Sequence, residues 1–432
     1  MDAQASVIAR RNEVGCRRVS PLPTHAGFWL LLLAFAVLVA ARIPAVWPHG
    51  RLWAEEASVY LVNAWTQPWF AALLAVHTGY INLPAAGATA LAVHLVPLEY
   101  VACVTVVLAL LIQMVPAVLL LTSGIPWLRG WRTLVPALLL LALPPAAEEV
   151  WLNTITSQFH VLLATAIILA SPPGRRRVAV FQGAVLLVAP LCGAPGAALL
   201  PLFLLRAWHD GSRSRLVQAM LLLPATGVQL IVLLMHPEPA RTVGFDLPLV
   251  LAAVTGKQIL LPLLGSRIAF RLTRGVVAAF AAGQPPMLFV LTPLLAFGTL
   301  GVAVWRNQDA SARWLYAGGI MMMAVSYLGA LSPGSKLDLL MSNYGIRYYY
   351  GPDVLISLTS LGLAATGAGV TRMLATCLVA WLILVGMVHY FHVRAVTTSG
   401  PSWRAEVVLW RADPSHPIAV WPAGWQIRLD HR

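Results

Sequence analysis

The stretch 27-GFWLLLLAFAVLVAARIPAVWPHGRLWAEE-56 decides the fold. It opens on an uninterrupted apolar run, Gly27 to Ala41, and closes on the adjacent carboxylates Glu55 and Glu56, framed by Trp47, Trp53 and Tyr60. A helix crossing the hydrocarbon core of a bilayer needs about 20 apolar residues, and this run with its flanks approaches that length. The basic residues Arg10, Arg11, Arg17 and Arg18 precede it, as they would precede a signal peptide. Arg42-Ile43-Pro44 is nevertheless a poor small-residue cleavage site, and apolar runs continue to the C-terminal region. An uncleaved first span is therefore expected.

Composition agrees with that choice of solvent. Of 432 residues, 59% are hydrophobic and 10% charged, and the mean hydropathy of +0.77 leaves too little polar surface to solvate a globule of this size. The net charge of +13 would suit nucleic acid, but the arginines fall mostly between apolar runs, where membrane orientation accounts for them and no nucleic acid is needed. Cys16, Cys103, Cys192 and Cys377 are scattered, without zinc or redox spacing.

The expected fold class is an all-α polytopic membrane protein. The apolar runs predict about eleven spans, near 27–43, 100–121, 133–147, 158–171, 177–191, 194–207, 216–235, 286–304, 313–331, 352–369 and 372–391. With the N-terminus (1–26) inside, the clusters Arg129/Arg132, Arg175–Arg177, Arg206/Arg213/Arg215 and Arg306/Arg313 fall on the cytoplasmic side, as the positive-inside bias requires. Outer loops then cover 44–99, 148–157, 236–285 and 332–351. They hold Glu55, Glu56, Glu148, Glu149, Glu238, Asp246 and Asp338.

Two apolar stretches do not fit the count: 81–97, which contains Asn82, Pro84 and His94, and 247–264, which contains Lys257 and Gln258. Both are expected to be interfacial or re-entrant helices on the outer face. Arg267, Arg271 and Arg274 after the second stretch run against the charge rule, and a full crossing there would invert everything downstream. The tail 397–432 is expected outside, with short strands at Glu406–Trp410 and Ile418–Trp421. Its tryptophans, Trp403, Trp410, Trp421 and Trp425, suit either interfacial anchoring or the wall of a sugar site.

The chain has no G-x-G-x-x-G, G-x-x-x-x-G-K-[ST] or H-E-x-x-H motif, and its cytoplasmic loops are too short for a nucleotide-sugar domain. A donor would have to arrive through the lipid. Trp53-Ala54-Glu55-Glu56 straight after the first span, about eleven spans, and a late outer Arg347-Tyr348-Tyr349-Tyr350 before Pro352 together resemble the GT-C superfamily of integral membrane glycosyltransferases. That resemblance implies a polyprenyl-phosphate-linked sugar as donor and a glycan or lipid as acceptor. It also implies an acidic residue of the first outer loop as base. The family commonly carries Asp-Asp, Asp-Glu or Glu-Asp there; Glu-Glu leaves open which glutamate acts and whether a divalent cation binds.

The chemistry explains why these residue types would be needed. A carboxylate within hydrogen-bond reach takes the proton of the acceptor hydroxyl, and Glu55 and Glu56 are the candidates. The leaving phosphate gathers charge beside lipid, where cationic donors are worth most; Arg347 offers a planar fork, and Lys257 and Arg267 would assist. Trp53, His77, Tyr80, Asn82, Glu148, Glu149 and Tyr348 are candidates to line the substrate, with interfacial or helix-capping roles as the alternatives. Two rival functions are a flippase or permease for a lipid-linked glycan, and a polysaccharide polymerase or ligase. Transporters place ionisable groups at mid-membrane on broken helices, whereas polymerases carry a large late outer loop.

Overall fold

A computed structural model describes residues 25–237, 246–330, 336–340, 345–392 and 395–430. Glu238 and the basic N-terminal segment lie outside the described residues. Helices dominate, and eleven fall on the eleven apolar stretches: α1 His25–Ala40, α2 Leu98–Thr122, α3 Trp131–Ala142, α4 Ser157–Ala170, α5 Arg176–Val188, α6 Leu200–Asp210, α7 Arg213–Met235, α8 Met287–Asn307, α9 Ala310–Ala330, α10 Ile346–Thr366 and α11 Gly369–Tyr390. Among them α2, α7, α8 and α11 are single helices long and apolar enough to cross a bilayer. The molecule is a helical membrane protein. α7, α8 and α11 present outward rows of large apolar side chains, such as Leu230, Ile231 and Leu234, or Leu288 and Leu295, that water would not tolerate as a continuous surface.

Core position follows from periodicity. α4 is apolar on every side, so no face of it suits water; it is buried throughout except at Gln158 and sits at the centre, against α2, α9 and α10. Its 14 residues reach roughly 21 Å, short of a bilayer core, which a helix sheathed by protein can tolerate.

Residues Leu247–Ala281 form 35 residues of apolar helix, enough on length to cross. Gly265 interrupts them with φ 75° and ψ 169°, a conformation open essentially to glycine alone. Beyond it the chain returns: a Cβ on Gly256 would lie 2.8 Å from the Thr273 methyl group. Those positions would stand roughly 25 Å apart in a straight helix. The run is therefore a hairpin of two antiparallel arms, and both arms pack on Lys336–Leu339 near their open ends.

The connections sort into two groups. On one face, the loop after α1 meets the α3–α4 loop through Arg51 to the Trp151 carbonyl at 2.6 Å and Asn82 to the Ile155 carbonyl at 3.0 Å. The tail joins the same face: Trp421 N donates to Leu52 O, and Trp65 Nε1 to Asp430 O at 2.8 Å. On the opposite face, Trp127 bonds Asp309 at 3.1 Å, Arg215 bonds Ser171 O at 2.6 Å, and Asn307 bonds Thr366.

The tail departs from expectation. Residues 406–410 belong to a helix, Trp403–Ala412, not a strand, because its buried residues Trp403, Val407 and Trp410 recur at helical spacing and pack on Leu98 and Val101. Two antiparallel hairpins complete the face: β1 Val76–His77 with β2 Tyr80–Ile81, and β3 Ile418–Val420 with β4 Trp425–Ile427.

Candidate active site

The adjacent glutamates differ completely in environment. Glu56 is fully buried at the start of a π-helical segment, Glu56–Leu61. Its Oε2 accepts the Trp53 amide at 2.9 Å, and its Oε1 accepts the Thr154 amide at 2.8 Å together with the Thr154 hydroxyl. It rivets the first loop to the α3–α4 loop. Burial raises its pKa above the ordinary glutamate range, against the Thr154 and Trp53 donors and the Arg51 charge, which lower it. Glu55, one residue earlier, is partly exposed on the site face.

Arg347 stands in the first turn of α10, and the Glu55 charge is the smallest of the contributions acting on it. Its Nη1 donates to Glu149 Oε1 at 2.9 Å, its guanidinium sits 5.2 Å from the Tyr348 ring centroid, and Glu149, with a smaller contribution from Glu55, supplies the negative field that favours its charge. The Arg347 side chain remains 35% exposed and Glu149 11%, so solvent or a ligand can reach the pair. Lys257 is buried in the second π-helical segment, Thr255–Leu260, 5.8 Å from the Tyr349 ring centroid and within the field of Glu149. The late Arg-Tyr-Tyr run meets the α3–α4 loop at Glu149, and Glu55 contributes to the field at Arg347 without a hydrogen bond or ion pair to it among the described residues.

Around this pair the other candidates have structural duties as well. Trp53 is buried, stacked under Arg51 with 4.4 Å from guanidinium carbon to ring centroid. Asn82 is buried and caps helix Leu83–Leu95 through the Ala85 amide while holding Ile155. His77 and Tyr80 stand on the β1–β2 hairpin, half-buried, with the His77 ring against Tyr60 at 6.2 Å. Glu148 is buried, 3.9 Å from Arg42. Arg267 is exposed beyond the Gly265 kink, next to Ser266, whose amide bonds His389; the hairpin turn carries it away from the Glu149–Arg347 pair.

Two features were missed from sequence. Arg51 is fully buried between Trp53 and Trp421, and burial lowers its pKa to about 10 despite Glu56, Glu149 and Glu148. A lone arginine beside a tryptophan offered no signal that it would become the buried counter-charge of Glu56, Glu149 and Glu148. Asp353, about two turns into α10, is buried with Oδ2 lacking a hydrogen-bond partner among the described residues. With Gln258 it heads an apolar cavity of about 370 Å³ that continues to Leu363 and Leu374.

Strain gathers here too. Of five non-glycine residues with positive φ among the described residues, Ala54, Thr78, Ala146 and Leu152 all lie in these loops, each costing of order 1–3 kcal/mol. Among the described residues no three His, Cys, Asp or Glu side chains converge as a metal-binding group. No protein-family model matches the chain, and no curated protein matches it.

Proposed function

We propose that this chain is a GT-C-type membrane glycosyltransferase. It spans the bilayer eleven times with the Gly265 hairpin entering and leaving on one side, and it moves a sugar from a polyprenyl phosphate to a glycan or lipid acceptor on the outer face of a cytoplasmic membrane. The observation that carries this reading is the Arg347–Glu149 ion pair at 2.9 Å, reachable from solvent, with the charges of Glu55 and Lys257 in the same electrostatic neighbourhood.

Glu55 accepts the proton of the acceptor hydroxyl, whose oxygen bonds to the anomeric carbon as the carbon–oxygen bond to the phosphate breaks. The departing lipid phosphate takes the electron pair, and Arg347 and Lys257 receive its charge. Glu56 holds the loop that carries Glu55. The apolar cavity headed by Gln258 and Asp353, next in sequence to Lys257 and one turn below Tyr349, gives an isoprenoid chain a place beside the phosphate.

The test is a lipid extract from cells lacking this protein. A polyprenyl-phosphate sugar should accumulate, wild type should clear it, and Glu55→Gln at normal abundance should not. Clearance by Glu55→Gln would end the assignment of the base. One observation favours the transport alternative: the unpartnered Asp353 carboxyl on a membrane-depth cavity, a position transporters use. Asp353→Asn abolishing lipid-glycan movement with sugar transfer intact in detergent would favour that reading.

A further inference from the structure

The face opposite Glu55 carries a second cavity, of about 630 Å³, between the α2–α3 turn and α10 and α11. Arg129 and Arg132 come from the turn and start of α3, Arg372 from the first turn of α11, and all three are exposed at its rim. Arg129 donates to its own turn at Gly124 O, 3.3 Å away. The ion pairs on this face instead use Asp210, with Arg206 and Arg215. Asp309, bonded to the cavity's Trp127 wall, is engaged by that indole N–H and by the Ala312 amide.

Below the rim the lining turns apolar, through Ala365, Val379 and Ile383. Ile383 lies roughly 17 Å along α11 from Arg372. A soluble anion would use the rim and leave this lower wall bare. A molecule with an anionic head and a hydrocarbon body matches both parts, as basic pockets between transmembrane helices match acidic lipid head groups.

We infer that this cavity is a binding site for an anionic phospholipid of the inner leaflet, its phosphate held by Arg129, Arg132 and Arg372 and one acyl chain laid along α11. The site is separate from the sugar-transfer centre and does not depend on that activity.

Native mass spectrometry and thermal melting of the purified full chain in detergent test it, with phosphatidylglycerol, phosphatidylcholine and inorganic phosphate as probes. Phosphatidylglycerol should remain bound and raise the melting temperature, at least tenfold more tightly than phosphatidylcholine, while millimolar phosphate leaves it unchanged. The variant Arg129→Gln/Arg132→Gln/Arg372→Gln should lose that preference. Equal retention of the two lipids by wild type would overturn the inference without any variant having to fold. Stabilisation by inorganic phosphate equal to that by phosphatidylglycerol would also overturn it, making the rim a soluble-anion site.

Discussion

Replacing Glu56 with Gln should cost the protein its fold more than its chemistry, and replacing Glu55 should do the reverse. Glu56 accepts three hydrogen bonds with no exposure to water: one from Trp53 N at 2.9 Å, and two from Thr154, whose amide stands at 2.8 Å. A glutamine keeps a single acceptor oxygen. If its amide nitrogen faces Trp53, one hydrogen bond is lost and a buried N–H is left opposite another donor, together about 2–4 kcal/mol. If it faces Thr154, two donors are orphaned and the cost is at least as large. The Ala54 backbone, held at φ 42°, loses the rivet that keeps Glu55 in place.

The assay pairs immunoblot abundance and a melting curve with sugar transfer for each single variant. Glu56→Gln should melt lower and accumulate less, with transfer per folded molecule reduced modestly. Glu55→Gln should melt like wild type and transfer nothing measurable. The pH dependence gives a second readout. Burial raises the Glu56 pKa, so the folded chain holds a proton there more tightly than the unfolded one, and this group adds stability as pH falls from neutral toward the carboxylate range. Glu56→Gln should remove that slope. A wild-type melting temperature for Glu56→Gln together with lost transfer would refute the division of labour.

Other perturbations separate the remaining parts. Arg347→Lys keeps the charge but not the planar fork that meets Glu149 at 2.9 Å, and a lost charged hydrogen bond of about 1.5–3 kcal/mol should lower transfer about 10- to 100-fold at normal abundance. Undiminished transfer would make Arg347 a mere positive charge. Gly265→Ala puts a Cβ 2.6 Å from His389 Nε2 at φ 75°, and the hairpin should lose about 2–4 kcal/mol, read as faster proteolysis between the arms. Wild-type resistance would argue against a tight turn there. For orientation, Ala423→Cys and Ser214→Cys, both exposed, should react with an impermeant maleimide from opposite sides of sealed vesicles, Ala423 from outside. Labelling from the same side would remove one crossing from the count.

What the sequence made legible and what it hid divide along a physical line. Apolar runs such as Gly369–Tyr390 declare their position because lipid demands the same thing of every residue in them. Glu55, Glu149 and Arg347 were approachable as site candidates only because acids and bases are scarce in this composition, so the few that lie outside apolar runs stand out. Contact partners are a different matter. Nothing at position 56 distinguishes it from 55, since the difference lies in Thr154, almost a hundred residues away, and in which way a π-helical turn rotates two neighbouring side chains. The same rotation governs Lys257, where a second π segment brings the ammonium against Tyr349 rather than leaving it along the helix face that ordinary periodicity predicts. The strand reading failed at 406–410 for the opposite reason: a short amphipathic segment between proline turns carries too few residues for period 2 and period 3.6 to be told apart, and packing on Leu98 and Val101 decides. Where the local pattern is regular the solvent dictates the fold; where the backbone leaves regular geometry, at Ala54, Gly265 and the two π turns, long-range contacts dictate it, and those same irregularities are what bring the charged groups of the site together.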